Sequence, residues 1–184
     1  KPGSYIIGTV ATTRSAGTGS STFGGIGVSL SSGGDNLGNV SVVRRTGAGA
    51  KVTVGDASSI NRSWTIEAEN QPTSGRDLQL SWVIDDDSIS TSVNVWRSTD
   101  NGGTWLKHSG PHNPGTGDTR TVTVSTTHFS DWTISDEDGP LPVELVSFTA
   151  KIVRNSVSLD WKTATEVNNY GFEVERRRFS MDSI

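Results

Sequence analysis

The stretch 93–105 constrains the fold more than any other part of the chain. Side chains alternate between the two faces of an extended strand, so its two valines would share one face, and Asn94 and Trp96 the other. Residues 100–103, Asp-Asn-Gly-Gly, tolerate the backbone angles of a tight turn. The stretch therefore predicts a β-hairpin.

Similar alternation recurs through most of the chain. It predicts strands at residues 4–11, 22–30, 39–45, 59–67, 78–84, 119–125 and 128–135. Gly24, Gly25 and Gly27 interrupt the second of these and mark bulges or a close backbone approach. Ser and Thr make up about a quarter of the residues, and no long segment has a helical period. These features predict an all-β protein, an antiparallel β-sandwich of the immunoglobulin-like or jelly-roll-like kind.

Charge and composition exclude several classes of function. The formal net charge is −4 with both signs interspersed, which argues against nucleic acid as a partner. No apolar run approaches the roughly 20 residues that span a membrane, and the start of the chain has no signal-peptide pattern. The lack of cysteine removes thiolate catalysis and cysteine metal sites. No cofactor is expected.

An acidic linker rich in Gly and Pro separates two predicted domains. It covers residues 136–142, and the predicted boundary lies within it, after a β-sandwich domain at 1–138. The segment 139–184 contains three strand-like runs, at 142–153, 156–162 and 171–178. This second segment is predicted to be an incomplete, three-stranded module.

The turn of the hairpin carries a motif. Ser98, Asp100, Gly102, Thr104 and Trp105 match S-x-D-x-G-x-T-W, which resembles the Asp box of sialidases and other secreted β proteins. The resemblance implies a structural hairpin in which the Asp closes the turn and the Trp packs beneath it. Sialidase propellers carry several boxes and an arginine triad, whereas this chain has one box and too few residues for a propeller. Sialidase activity is therefore not expected.

Two later runs carry a second resemblance. Residues 141–150, LPVELVSFTA, and 157–176, VSLDWKTATEVNNYGFEVER, resemble the fibronectin-III-like module that precedes the C-terminal sorting domain in proteins exported by type IX secretion. Residues 59–66, 95–105 and 127–134 are similar to the β-sandwich modules of the same large surface proteins. The resemblance implies a secreted, modular protein of the bacterial cell surface that is not an enzyme.

The number of strands in the second segment leads to the main functional hypothesis. A whole fibronectin-III-like module has seven strands in roughly 90 to 100 residues, and three strands would leave apolar faces and unpaired edges. These must fold back on the first domain, stay frayed or be completed by another chain. We therefore expect an extracellular structural or adhesive module, such as a fibre or filament subunit, that self-associates or joins neighbouring modules by strand donation through residues 141–184. A glycan-binding module of a cell-surface protein is the second hypothesis.

A third hypothesis comes from the triplet His128-Phe129-Ser130. The same triplet ends the self-cleaving domains of certain eukaryotic signalling and nuclear-pore proteins. That resemblance implies that Ser130 attacks the carbonyl of Phe129, with His128 as the base, which requires a strained peptide bond. The simpler interpretation is a strand entry, with Phe129 in the core and His128 at the rim.

Other residues are candidates for binding. Asp85, Asp86 and Asp87 offer hard oxygen ligands for calcium, but they lack EF-hand spacing and a charged loop tip explains them more simply. His108 and His112 flank a Gly/Pro loop without a third ligand nearby and are interpreted as surface histidines.

Three aromatic residues are candidates for a surface that stacks against a sugar. Trp96, with Trp105 and Tyr5, could stack against a saccharide, although core packing explains Trp105 better. The face on which Trp96 lies decides between these alternatives.

Overall fold

The structure is a computed structural model that describes residues 6–54, 57–86, 92–136, 145–154, 156–163 and 174. The chain divides into two compact units, Lys1–Gly139 and Pro140–Ile184. Their boundary lies one residue beyond the one expected from the sequence. The third strand predicted in the second segment, at 171–178, lies outside the described residues apart from position 174, as do Tyr5 and Asp87.

Within these residues the chain forms thirteen strands, two short 3₁₀ turns and no α-helix. The turns are Ala48–Ala50 and Ile84–Asp86. The strands are β1 (Gly8–Ala16), β2 (Ser21–Thr22), β3 (Val28–Leu30), β4 (Gly38–Thr46), β5 (Thr53–Val54), β6 (Ala57–Ala68), β7 (Arg76–Val83), β8 (Val93–Ser98), β9 (Leu106–His112), β10 (Thr119–Thr126), β11 (Asp131–Asp136), β12 (Leu145–Val153) and β13 (Ser156–Thr163). Among the described residues, neither helical turn has the length and apolar character to cross a bilayer.

The first unit is an antiparallel β-sandwich. Its larger sheet has the strand order β1-β4-β6-β11-β8-β9, and β5 pairs with β6. Its smaller sheet has the order β10-β7-β3-β2. The predicted all-β sandwich is thereby confirmed.

The core lies between the two sheets and follows the predicted alternation. The larger sheet contributes buried Val42, Trp64 and Trp132, and the smaller sheet contributes Leu80 and Trp82. The two valines of β8 are also fully buried, as the hairpin pattern predicts. Because strands such as β7 and β10 bury every second residue, a chain with modest apolar content still closes a continuous core.

A buried ion pair lies at one end of this core. Arg62 of β6 and Asp86 of the second 3₁₀ turn approach to 2.6 Å, and both side chains are almost fully buried. The Arg62 guanidinium also donates a hydrogen bond of 3.1 Å to the carbonyl of Ser81 and lies 5.9 Å from the centre of the Trp64 ring. The pair therefore fastens the chain after β7 to the larger sheet.

The first strand differs from its prediction. It begins at Gly8 rather than at residue 4 and continues to Ala16, through residues that were expected to form a turn. Every residue of β1 pairs with β4, and the Thr residues of this part suit a strand because they are β-branched. The turn begins instead at Gly17.

The strand predicted at 22–30 is a hairpin of two short strands, β2 and β3. The turn between them contains Gly24, Gly25 and Gly27, all with positive φ. Gly27 also meets the expectation of a close approach, because an added Cβ would clash with the carbonyl oxygen of Ser81. Ser81 in turn donates its N–H to the carbonyl of Gly27.

The described part of the second unit is an antiparallel hairpin, β12 paired with β13. Its register places Phe148 opposite Trp161 and Ile152 opposite Val157, so these apolar side chains share one face. Their exposed fractions are 55% for Phe148, 40% for Trp161, 84% for Ile152 and 61% for Val157. The hairpin therefore presents an apolar face, called the hairpin face below.

Candidate functional site

A dense set of hydrogen bonds closes the turn between β8 and β9. Buried Ser98 donates its hydroxyl to Asp100 Oδ1 at 2.7 Å and accepts the N–H of Gly102 at 2.9 Å. Asp100 accepts the N–H of Thr104 at 2.8 Å and its hydroxyl at 2.7 Å. Asn101 and Gly102 both have positive φ, which Asn and Gly adopt most readily. These hydrogen bonds make this turn rigid, although turns and loops are in general more mobile than strands.

These bonds fix the charge of Asp100. The hydrogen bonds from the side chain and backbone of Thr104, followed by that from Ser98, lower the pKa of the carboxyl group from 3.8 to about 2. Donors favour the ionised form because a carboxylate can only accept. Asp100 is therefore a fixed negative charge at neutral pH.

Two rows of side chains run from β4 towards this turn on the outer face of the larger sheet, the face away from the core. In one row Thr65 lies opposite both Val43 and Asp131, and Asp131 lies opposite Ser98. Residues directly opposite on antiparallel strands share a face. The row therefore leads from β4, through β6 and β11, to Ser98, the first residue of the turn motif.

A chain of polar contacts follows this row. The guanidinium of Arg45 donates to Thr65 Oγ1 at 2.8 Å, and the Thr65 hydroxyl donates to Asp131 Oδ1. Glu67 lies on β6 two residues beyond Thr65, on the same face, and its side chain is exposed. The outer face thus carries one guanidinium and two carboxylates close together.

Two clefts meet over these side chains. The first, of about 490 Å³, reaches Arg45 and Trp105, and the second, of about 420 Å³, reaches His128 and Ser130. Both are lined by Thr65, Glu67, Asn101 and Asp131. Each volume falls in the range of small-molecule sites, about 300 to 1,000 Å³. We call the two clefts together the sheet groove.

Two buried polar atoms border the sheet groove. The indole Nε1 of Trp105 and the hydroxyl of Ser130 are both withdrawn from solvent, and neither has a hydrogen-bond partner among the described residues. A buried polar group without a partner costs about 1–3 kcal/mol.

The triplet 128–130 lies at one end of this groove. Phe129 is buried, as the strand-entry interpretation expects, and its N–H donates to Gln71 Oε1 at 2.7 Å. The strand predicted from residue 128 begins only at Asp131, because the backbone of His128 instead bonds with Thr126 Oγ1. The Ser130 hydroxyl has no hydrogen-bond partner among the described residues, so it donates no hydrogen bond to the His128 ring. The geometry of the proposed base and nucleophile is therefore not assembled.

Trp96 lies on the outer face, in the second row. Its register partners are Thr133 of β11 and Lys107 of β9, and its indole N–H donates to Ser135 Oγ at 2.8 Å. Trp96 does not line either cleft, whereas Trp105 lines the first. The aromatic wall of the groove is therefore Trp105.

In the acidic run 85–87, Asp86 is paired with Arg62. The side chain of Asp85 and the whole of Asp87 lie outside the described part of the chain. In the described ranges no three His, Cys, Asp or Glu side chains come together as metal ligands. His108 packs edge-on against Trp132 at 4.9 Å, and His112 bonds with Ser109.

The groove residues Arg45, Thr65, Glu67 and Asp131 were not singled out from the sequence. Their only sequence signal is that Thr65 and Glu67 occupy the polar positions of an alternating strand. Comparison with known families gave no matching family model, and comparisons with curated proteins and with solved structures gave no match.

Proposed function

We propose that this chain is a non-enzymatic structural or adhesive module of an exported bacterial surface protein, and that it associates with neighbouring modules or with copies of itself through the hairpin β12–β13. The observation that carries the proposal is the hairpin face, on which Phe148, Ile152 and Val157 are each more than half exposed. Exposed apolar surface of this kind marks interaction sites. The likeness of residues 141–150 and 157–176 to fibronectin-III-like modules of exported surface proteins supports the same role.

The chemistry of a hairpin suits strand addition. Two strands alone are marginally stable in water, and a third strand supplies both backbone hydrogen bonds and cover for one face. The other face of the hairpin, on which Ile152 does not lie, carries polar residues, among them Thr149, Lys151 and Ser158. The polar face gains less from burial than the hairpin face, which favours one orientation of an added strand or sheet.

Sedimentation velocity over a wide range of protein concentration tests the proposal. Burying one Ile side chain contributes about 1.5–3 kcal/mol, so we expect Ile152→Thr to weaken self-association by about tenfold to a hundredfold. Threonine keeps the β-branch, so the strand itself is preserved. Lys151→Thr, the neighbouring position on the polar face, is the matched control and should leave association unchanged.

Two results would contradict the proposal. One is a wild-type chain that stays monomeric at every concentration and does not bind the purified neighbouring module of its own protein. The other is equal association of the wild type and the Ile152→Thr variant, which would place the contact elsewhere on the molecule.

A further inference from the structure

We propose that the sheet groove binds an uncharged oligosaccharide, with Trp105 as its aromatic wall and Glu67 as its main hydrogen-bond acceptor. This inference does not depend on association through the hairpin, because it uses only residues of the first unit.

The charges of the groove point to an uncharged polar ligand. Arg45 is offset by Glu67 and Asp131, so the groove lacks the surplus of positive charge that phosphate or an acidic glycan requires. The Arg45 guanidinium and the Asp131 carboxylate are also engaged with Thr65. Sugar hydroxyls both donate and accept hydrogen bonds, which matches a surface where donors and acceptors alternate.

Glu67 is the group most available to a ligand. Its side chain is exposed, and within the described ranges no hydrogen bond or ion pair joins it to the protein. A carboxylate with both oxygens open accepts two neighbouring hydroxyls. It lines both clefts, so a ligand in either one reaches it.

Trp105 supplies the apolar part of the site. It is half-buried beside the turn, and its ring lies near Gly102, where an added Cβ would be 3.8 Å from Cζ2. The hydrogen bonds of Ser98 and Asp100 fix the turn up to Thr104, the residue before Trp105. An aromatic side chain presents a flat apolar surface, which suits the apolar face of a pyranose ring.

The shape of the groove favours a chain of sugars over a single one. The two clefts share four lining residues and extend in opposite directions from them, one towards Arg45 and one towards Gln71 and His128. Both lie on the flat face of the sheet, not at its edge, so backbone pairing with an extended peptide is not available there.

Titration with neutral hexasaccharides tests the inference, with tryptophan fluorescence and calorimetry as readouts and cello-, xylo-, manno- and chitohexaose as probes. We expect at least one to bind, and Glu67→Ala to weaken it about tenfold or more. Asp77→Ala is the matched control, because Asp77 is also an exposed carboxylate on a strand but lies on the smaller sheet. It should bind like the wild type.

A second measurement locates the binding site on the folded wild-type protein. On titration of the wild type, backbone amide resonances of Thr65, Asn101 and Asp131 should shift most, and Trp105→Phe should lose most of the fluorescence change. The inference is overturned if none of the four probes binds, if Glu67→Ala and Asp77→Ala bind alike, or if the shifts cluster away from the groove. It is also overturned if extended peptides bind in the groove and the sugars do not.

Discussion

Asp100 holds its turn together by accepting hydrogen bonds on both carboxylate oxygens, and protonation converts one of these acceptors into a donor. Its pKa is lowered from 3.8 to about 2, so the stabilising contribution is complete above 3.8 and is lost as the pH falls through about 2. We expect a carboxyl titration by NMR to give a midpoint near 2 for this residue. We also expect Asp100→Asn to lower the melting temperature at neutral pH, since an amide N–H₂ would face the donors of Ser98 or Thr104.

The difference between wild type and Asp100→Asn should shrink as the pH approaches 2, because protonation removes the same acceptor that the substitution removes. An equal difference at all pH values would mean that the carboxylate charge does not stabilise the turn.

The pair Arg62–Asp86 illustrates the opposite case, charges that are removed from water. Removing one partner leaves a buried charge without compensation, which destabilises proteins by about 3–5 kcal/mol. We expect Asp86→Asn to lower the free energy of unfolding in urea by about this amount. Asp77→Asn, an exposed carboxylate, should change it by less than about 0.5 kcal/mol. A loss below about 1 kcal/mol for Asp86→Asn would show that water reaches the pair.

At the scale of elements, alternation predicts strands well where one face is buried. Strands β6, β7 and β10 lie near their predicted positions because Trp64, Leu80 and Val122 face the core in strict alternation. The first strand was misplaced because β1 is an edge strand with little buried surface, so its polar residues read as a turn. Hydrophobic alternation therefore fails to locate a strand that buries little apolar surface.

The sheet groove shows a different limit. Arg45, Thr65, Asn101 and Asp131 come from four separate segments, and only the pairing of β4, β6, β11 and β8 brings them together. Strand register is set by long-range pairing, and a slip of one residue would move these side chains to the core face. The turn motif at 98–105, in contrast, is local and could be located from the sequence alone.

At the scale of the whole molecule, the two faces of the larger sheet have separate roles. The inner face packs Val42, Trp64 and Trp132 into the core, while the outer face carries the polar row and the groove. Substitution of an exposed outer-face side chain such as Glu67 should therefore change binding with little change in stability. This separation makes Glu67→Ala informative, because its side chain contributes nothing to the core.

The core of the sandwich belongs entirely to the first unit, since its buried cluster runs from Ala16 to Ile134. Residues 1–139 therefore contain every element of both sheets, and we expect them to fold without the rest of the chain. Five of the six tryptophans lie in this part, so its near-ultraviolet circular dichroism should be native-like and should disappear in one cooperative transition on heating.

Leu80→Ala in the same shortened chain should lower the free energy of unfolding by about 2–5 kcal/mol, because Leu80 is fully buried between the sheets. A shortened chain that binds hydrophobic dyes and lacks a cooperative transition would show that the second unit is needed to complete the sandwich.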